Sequence, residues 1–144
     1  MIKLFNLENY VINTADYTNL LHDGVVKEFE DRFAEYVGAK YACGVNSATN
    51  AIFLAFLNKS ATVEVPSIIP PVVCNALLTS GNNVKFVDNV DWVGREYWLG
   101  GVLDSAQNVE KDIYRKNCVN ELAVFSFYPT KPVGSVDGGM LVSN

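Results

Sequence analysis

Three times between Gly24 and Val87 the sequence passes from a helical run to a short strand-like run, and no other feature restricts the fold as much. From Gly24 to Val37 the apolar residues Val26, Phe29, Phe33, Tyr36 and Val37 recur three or four positions apart. Lys27, Glu28, Glu30, Asp31, Arg32 and Glu35 fill the opposite face. This period predicts an amphipathic helix capped by Asp23 and closed by Gly38 at the C′ position. Tyr41–Val45 reads as a strand, Ala51–Leu57 as an almost wholly apolar helix, and Thr62–Val65 as a second strand ending at Pro66. Ser67–Ser80 reads as a helix delayed by Pro70-Pro71 and ended by Gly81, and Val84–Val87 as a third strand ending at Asp88. Strands joined in this way lie parallel and carry helices on their faces, so the expected class is α/β.

The rhythm breaks at residues 89–98, NVDWVGREYW, which are too few for a helical crossover and lack a helical period. Alternation around Gly94-Arg95 predicts a hairpin or an aromatic loop there. Trp92, Tyr97 and Trp98 form an aromatic group suited to a ligand or partner, or to packing on the core. Val102–Leu103 is a short strand that delivers Asp104 to its carboxyl end, and Ser105–Lys116 is a weak helix or loop. Residues 1–22 mix apolar and polar types without a period and read as an irregular arm of one 144-residue domain.

Composition narrows the partners. With 49% apolar and 12% aromatic residues the chain can build a core. A net charge of −5 gives no basic stripe for nucleic acid. The apolar runs are too short to span a membrane, and Met1-Ile2-Lys3 does not open a signal peptide. Cys43, Cys74 and Cys118 are odd in number and widely spaced, which suits a reducing cytoplasm better than a disulfide framework. A single histidine, His22, leaves little basis for histidine metal sites or Ser-His-Asp catalysis.

Two stretches carry candidate chemistry. In AVFSFYPTKPVGSVDGGMLVS, the apolar run Leu122–Phe127 stops at Tyr128-Pro129-Thr130, and Lys131 follows before a second apolar run, Met140–Val142. A lysine held at the end of a buried strand is desolvated, which lowers its pKa and makes the amine nucleophilic, as a Schiff-base lysine requires. An ordinary strand-end lysine with its head in water satisfies the same pattern. In the other stretch a strand is followed by Asn46-Ser47-Ala48-Thr49 and a buried helix, the layout in which free helix N–H groups hold a phosphate. Simple capping by Ser47 or Asn46 remains open. No G-x-G-x-x-G follows any strand, so a Rossmann-type nucleotide site is set aside.

Four segments in order, FEDRFAEYVGAKYACGVNSATNAI, VEVPS with CNALLTSGNNVKFVD, LDSAQ, and FSFYPTKPVGSVDGGMLVSN, closely resemble the large domain of the DegT-type sugar-nucleotide aminotransferases, pyridoxal-phosphate (PLP) enzymes of fold type I. The resemblance covers most of residues 24–144. It implies a mostly parallel sheet with helices on both faces and a small carboxyl-terminal domain that this chain lacks. It places Lys131 as the lysine that forms a Schiff base with PLP and shuttles a proton, and Asp104 as the carboxylate paired with the ring nitrogen. Gln107 matches the glutamine beside the ring hydroxyl. Ala48, which replaces the commoner glycine, and Thr49 match the phosphate turn, and Ser126 matches another phosphate contact. The implied substrates are an amino-acid donor such as glutamate and a nucleotide-linked keto-sugar, and the implied assembly is a homodimer or higher oligomer.

The sequence departs from that pattern in three places. The chain is less than half a typical member and is expected to lack the later large-domain elements as well as the small domain. Between Asp88 and Asp104 the family's additional βα structure is missing. The aromatic residue that stacks on PLP falls at Ile69 or Pro70, leaving Trp92 or Trp98 as substitutes. Arg95 is a candidate cation for a carboxylate or phosphate, against the plainer reading of a solvated turn arginine. A miniaturised aminotransferase, an inactive PLP-binding remnant, and one half of a split enzyme are the three readings that follow.

Overall fold

The computed structural model describes residues 24–88 and 95–144. The expected arm at 1–22, the Asp23 cap, His22, Trp92 and Gly94 lie outside them. The elements in order are α1 (Gly24–Val37), β1 (Tyr41–Val45), α2 (Ala48–Phe56), β2 (Thr62–Pro66), α3 (Pro71–Thr79) and β3 (Asn83–Val87). They continue with β4 (Tyr97–Leu99), β5 (Val102–Asp104), α4 (Ile113–Asn117), β6 (Leu122–Ser126) and β7 (Gly139–Ser143).

Local chemistry sets the boundaries. α2 begins three residues before the apolar run because Ser47, in extended backbone, accepts the Asn50 N–H on its Oγ at 3.2 Å. α3 begins at Pro71, where the missing N–H costs no helical bond. The expected weak helix at Ser105–Lys116 contracts to α4.

The strands form a five-stranded sheet in the order β1-β7-β6-β5-β4 and a two-stranded sheet of β2 and β3. β5–β6 and β2–β3 are parallel, whereas β1–β7, β6–β7 and β4–β5 are antiparallel. The fold is α/β as expected, with strand directions more mixed than the early αβαβαβ rhythm suggests. The reason lies in the connections after β3. β4 and β5 are joined by Gly100-Gly101 alone, with φ of 45° and 87°. A two-residue loop with positive φ at both positions is the type I′ hairpin, which only an antiparallel pair can use. The hairpin or aromatic loop expected around Gly94-Arg95 falls largely outside the described residues, and the hairpin that is described turns at Gly100-Gly101.

Side-chain alternation divides the core between the two faces of the sheet. Val102 and Val124 point into a cluster with Ala51, Ile52, Phe56, Val73 and Leu77 of α2 and α3. Leu103, Ala123 and Phe125 point the other way, onto Phe33 and Val37 of α1 and Ile113 and Tyr114 of α4. On this second face the Phe33 ring meets Phe125 and Phe127 edge-on at centroid distances of 5.1 and 5.4 Å. Burial of each such side chain stabilises the fold by about 1.5–3 kcal/mol. Two faces covered by helices leave the strand ends and their loops as the place for a site. Among the described residues no helix is long and apolar enough to cross a membrane.

Candidate functional site

A cavity of about 530 Å³ opens at the carboxyl ends of β5 and β6 and the amino end of α2. Ala48, Thr49, Asp104, Gln107, Ser126 and Lys131 all line it, so all six residues singled out from sequence meet in one place. Arg95, Tyr97, Tyr128 and Asp137 share its walls. Its volume falls in the range of small-molecule and cofactor sites, roughly 300–1,000 Å³.

Asp104 forms the floor. It ends β5, only 3% of its surface is exposed, and Ser105 behind it is fully buried. Its Oδ1 accepts the Ala106 N–H at 2.9 Å and its Oδ2 accepts the Tyr97 hydroxyl at 2.7 Å. Burial pushes the carboxyl above its ordinary pKa, against the Tyr97 and Ala106 hydrogen bonds and the charge of Lys131, which all favour the anion. The Tyr97 hydroxyl is itself held far above its usual range, first by burial and then by the adjacent carboxylate. The segment after Asp104 is pinned: Ser105 Oγ donates to the Asn108 carbonyl at 2.8 Å, and Asn108 Nδ2 donates to Glu96 Oε2 at 2.7 Å. Gln107 is thereby held at the cavity edge.

Lys131 approaches from the loop after β6. Its backbone N–H donates to the Tyr128 carbonyl at 2.9 Å, and the loop closes through Phe127 N–H to Gly138 O and Ser135 N–H to Phe127 O, each at 2.9 Å. Desolvation lowers the Lys131 pKa, partly offset by the Asp104 charge. An amine in that state is a better nucleophile at neutral pH than a solvated lysine. Ser126, buried at the end of β6, accepts the Tyr128 N–H on its Oγ at 3.3 Å.

The third wall is the amino end of α2. Gly139 of β7 packs directly under it: a Cβ there would lie 2.5 Å from both the Ala48 nitrogen and the Ser47 carbonyl carbon. An isolated bridge between Ser47 and Gly138 adds to this contact. The helix N-terminus, with its unsatisfied N–H groups, is thus fixed to the same strand pair that carries Ser126, and an anion there meets a favourable dipole.

The aromatic positions distribute differently from the sequence alignment. Ile69 is buried in the core beneath α3, and only Pro70 of that pair lines the cavity. Trp98 is half exposed and is not among the lining residues; the rings that are belong to Tyr97 and Tyr128. Arg95 lines the cavity, and its guanidinium lies 3.7 Å from Glu110 Oε1 in a solvent-exposed pair. The Tyr97–Asp104 contact escaped sequence reasoning, although its signal was present. A turn at Gly100-Gly101 places Leu99 opposite Val102 and therefore Tyr97 opposite Asp104.

Comparison with known proteins gives a consistent result. Residues 6–96 match the profile of the DegT/DnrJ/EryC1/StrS aminotransferase family. A Campylobacter jejuni UDP-4-amino-4,6-dideoxy-N-acetyl-beta-L-altrosamine transaminase is 29% identical over 163 aligned positions, covering 83% of this chain and 43% of that protein. The GDP-perosamine synthase of Caulobacter vibrioides is 25% identical, over 96% of this chain and 49% of its own length. Among solved structures, the Streptococcus pneumoniae sugar aminotransferase candidate Spr1654 in its PLP form superposes with a TM-score of 0.76 at 16% identity, covering 97% of this chain and 52% of that one. DesV of S. venezuelae superposes at 0.68 with 20% identity, covering 90% and 47%. These two likenesses establish the fold. The chain spans about half the length of the proteins it matches.

Proposed function

The chain belongs to the DegT/DnrJ/EryC1/StrS aminotransferase family, and from that premise we propose that it binds pyridoxal 5′-phosphate and serves amino transfer between an amino acid such as glutamate and a nucleotide-linked keto-sugar. The observation that carries this reading is the meeting of a desolvated lysine, a buried carboxylate and a helix N-terminus around one cavity. A pyridine aldehyde phosphate makes those three demands at three separate points. When bound, PLP supplies an electron sink for the carbon from which a proton is removed.

The chain's own residues have distinct tasks. Lys131 Nζ would be the nucleophile toward the cofactor aldehyde and the base that holds the transferred proton. Asp104 would supply the negative charge that keeps the ring nitrogen protonated. Gln107, on the cavity wall, would sit beside the ring hydroxyl. The N–H groups at Ala48 and Thr49, the Thr49 hydroxyl and Ser126 Oγ would hold the phosphate, where Ala48 leaves room for close backbone approach. Tyr97 and Tyr128 supply the aromatic walls.

The relatives carry as much chain again beyond the matched part, which favours a second reading. In it PLP binds here, while turnover needs a second copy or another chain to complete the substrate groove. Ile68, Phe86 and Val136 are more than half exposed and would be covered in such an assembly.

The test is an absorbance titration of the purified chain with PLP, beside Lys131→Ala. A dialysis-resistant band in the internal Schiff-base region that Lys131→Ala abolishes supports cofactor binding. Its loss on adding glutamate, with pyridoxamine phosphate released, supports transamination. A stable band unmoved by glutamate favours the partner-dependent reading, with sedimentation velocity reporting the assembly. No band in the native chain refutes the proposal.

A further inference from the structure

We infer that Tyr97 is a positioning residue of this site: from the β4–β5 hairpin its hydroxyl fixes the orientation of the Asp104 carboxylate and supplies the donor that keeps it an anion on the dry floor of the cavity. The inference deepens the proposed PLP site and rests on that reading for its purpose, though the contact itself stands on geometry alone.

A carboxylate offers about four lone-pair sites. Asp104 has one oxygen held by its own chain, through Ala106 N–H, and the other by Tyr97 across the hairpin, at 2.7 Å. With both oxygens restrained the group cannot rotate, and its remaining lone pairs are set relative to the cavity. Burial opposes the charge, so each donor matters more than it would in water. Among the described residues, Lys131 from the loop after β6 favours the Asp104 anion, and Cys74 of α3 faces Tyr97. Arg95 and Asp137 line the same cavity. Among these, Tyr97 is the side chain that hydrogen-bonds the carboxylate.

The hairpin explains why this residue is available. Its register pairs Tyr97 with Asp104, and the type I′ turn at Gly100-Gly101 allows no slip without moving Tyr97 to the other face. A helical crossover at this point would put no cross-strand hydroxyl there.

The experiment uses Tyr97→Phe, which keeps the ring and removes only the oxygen, with the native chain, Asp104→Asn and the double variant. In the cofactor-free protein, carbon-detected NMR of labelled aspartate follows the Asp104 carboxyl, identified by the resonance missing from Asp104→Asn. The expected result is that Asp104 titrates at higher pH in Tyr97→Phe. In the PLP titration at pH 6, Tyr97→Phe is expected to lose about tenfold in affinity, or about 1.4 kcal/mol. That is near the lower end of what a hydrogen bond to a charged group contributes. In the Asp104→Asn background the Tyr97 substitution should add little, because its effect passes through the carboxylate. An unmoved Asp104 titration, or additive losses in the double variant, overturns the inference. A native chain that takes up no PLP while Asp104 still shifts in Tyr97→Phe overturns the cofactor reading and leaves the Tyr97–Asp104 restraint standing. Should Tyr97→Phe not fold, Tyr97→His at pH 8, which restores a donor to the carboxylate, is expected to fold and bind, and its failure to do so also counts against the role.

Discussion

Gly139→Ala tests how the α2 amino end is held in the site. Gly139 opens β7 and is flanked on both sides, paired with Val45 of β1 and with Ser126 of β6. An added methyl would stand 2.5 Å from two backbone atoms of the Ser47–Ala48 turn, where ordinary contact begins near 3.4 Å. Relief therefore requires a displacement of about 0.9 Å, the difference between those two distances. No flexible side chain can yield, because the opposing atoms are backbone on one side and a three-strand ladder on the other. Overpacking of this kind costs about 1–3 kcal/mol. For a chain of 144 residues that corresponds to a fall in Tm of roughly 3–10 °C. The same displacement moves the Ala48 and Thr49 N–H groups away from Ser126 and Lys131, and a shift near 1 Å in such a site can cost about 100-fold. The assay is thermal unfolding by circular dichroism together with the PLP titration, with Gly24→Ala as control. Gly24 has nothing within 4 Å of its added methyl and should be neutral in both readouts. If Gly139→Ala unfolds within 1 °C of the native chain and binds PLP equally well, then β7 does not fix the helix N-terminus, and the account of the phosphate wall fails.

Two further outcomes follow from buried polar groups. Asn82 is 4% exposed and bridges α2 to β2: its Nδ2 donates to the Phe56 carbonyl at 2.9 Å, and its Oδ1 accepts the Ala61 N–H at 2.9 Å. Asn82→Ala orphans the Ala61 N–H and leaves the Phe56 carbonyl only the Lys59 N–H, and should lower stability by about 1–3 kcal/mol in urea denaturation, with the PLP band of the folded fraction intact; a loss under 0.5 kcal/mol would contradict this bridge. For Asp104, burial raises the folded-state pKa. Its contribution to stability is therefore fully present below the unfolded-state pKa and is lost as pH rises through the folded one. Asp104→Asn should thus gain in stability relative to the native chain as pH rises, read as the difference in Tm against pH. A gap independent of pH would refute the assignment. The same variant should bind PLP more weakly at every pH.

Much of this molecule was determined by sequence alone. The 3.6-residue period of α1 depends on residues near one another in the chain, and so does the Pro70-Pro71 delay of α3. The ordered motifs around Ala48, Asp104, Ser126 and Lys131 singled out residues that the fold brings to one cavity, because each lies at a strand end or on the turn just after one. What sequence did not determine was strand direction after β3, since a short link can be either a loop to a parallel strand or half of a hairpin. Gly100-Gly101 settles that choice only through positive φ at both positions, and the cross-strand register then brings Tyr97 onto Asp104. Likewise Gly139 reads as an ordinary strand glycine until β7 is inserted between β1 and β6 beneath α2. Its need for a missing side chain arises from backbone contacted ninety residues away in the chain. Local period and motif chemistry belong to short stretches, whereas the floor and wall of the cavity exist only where distant stretches touch.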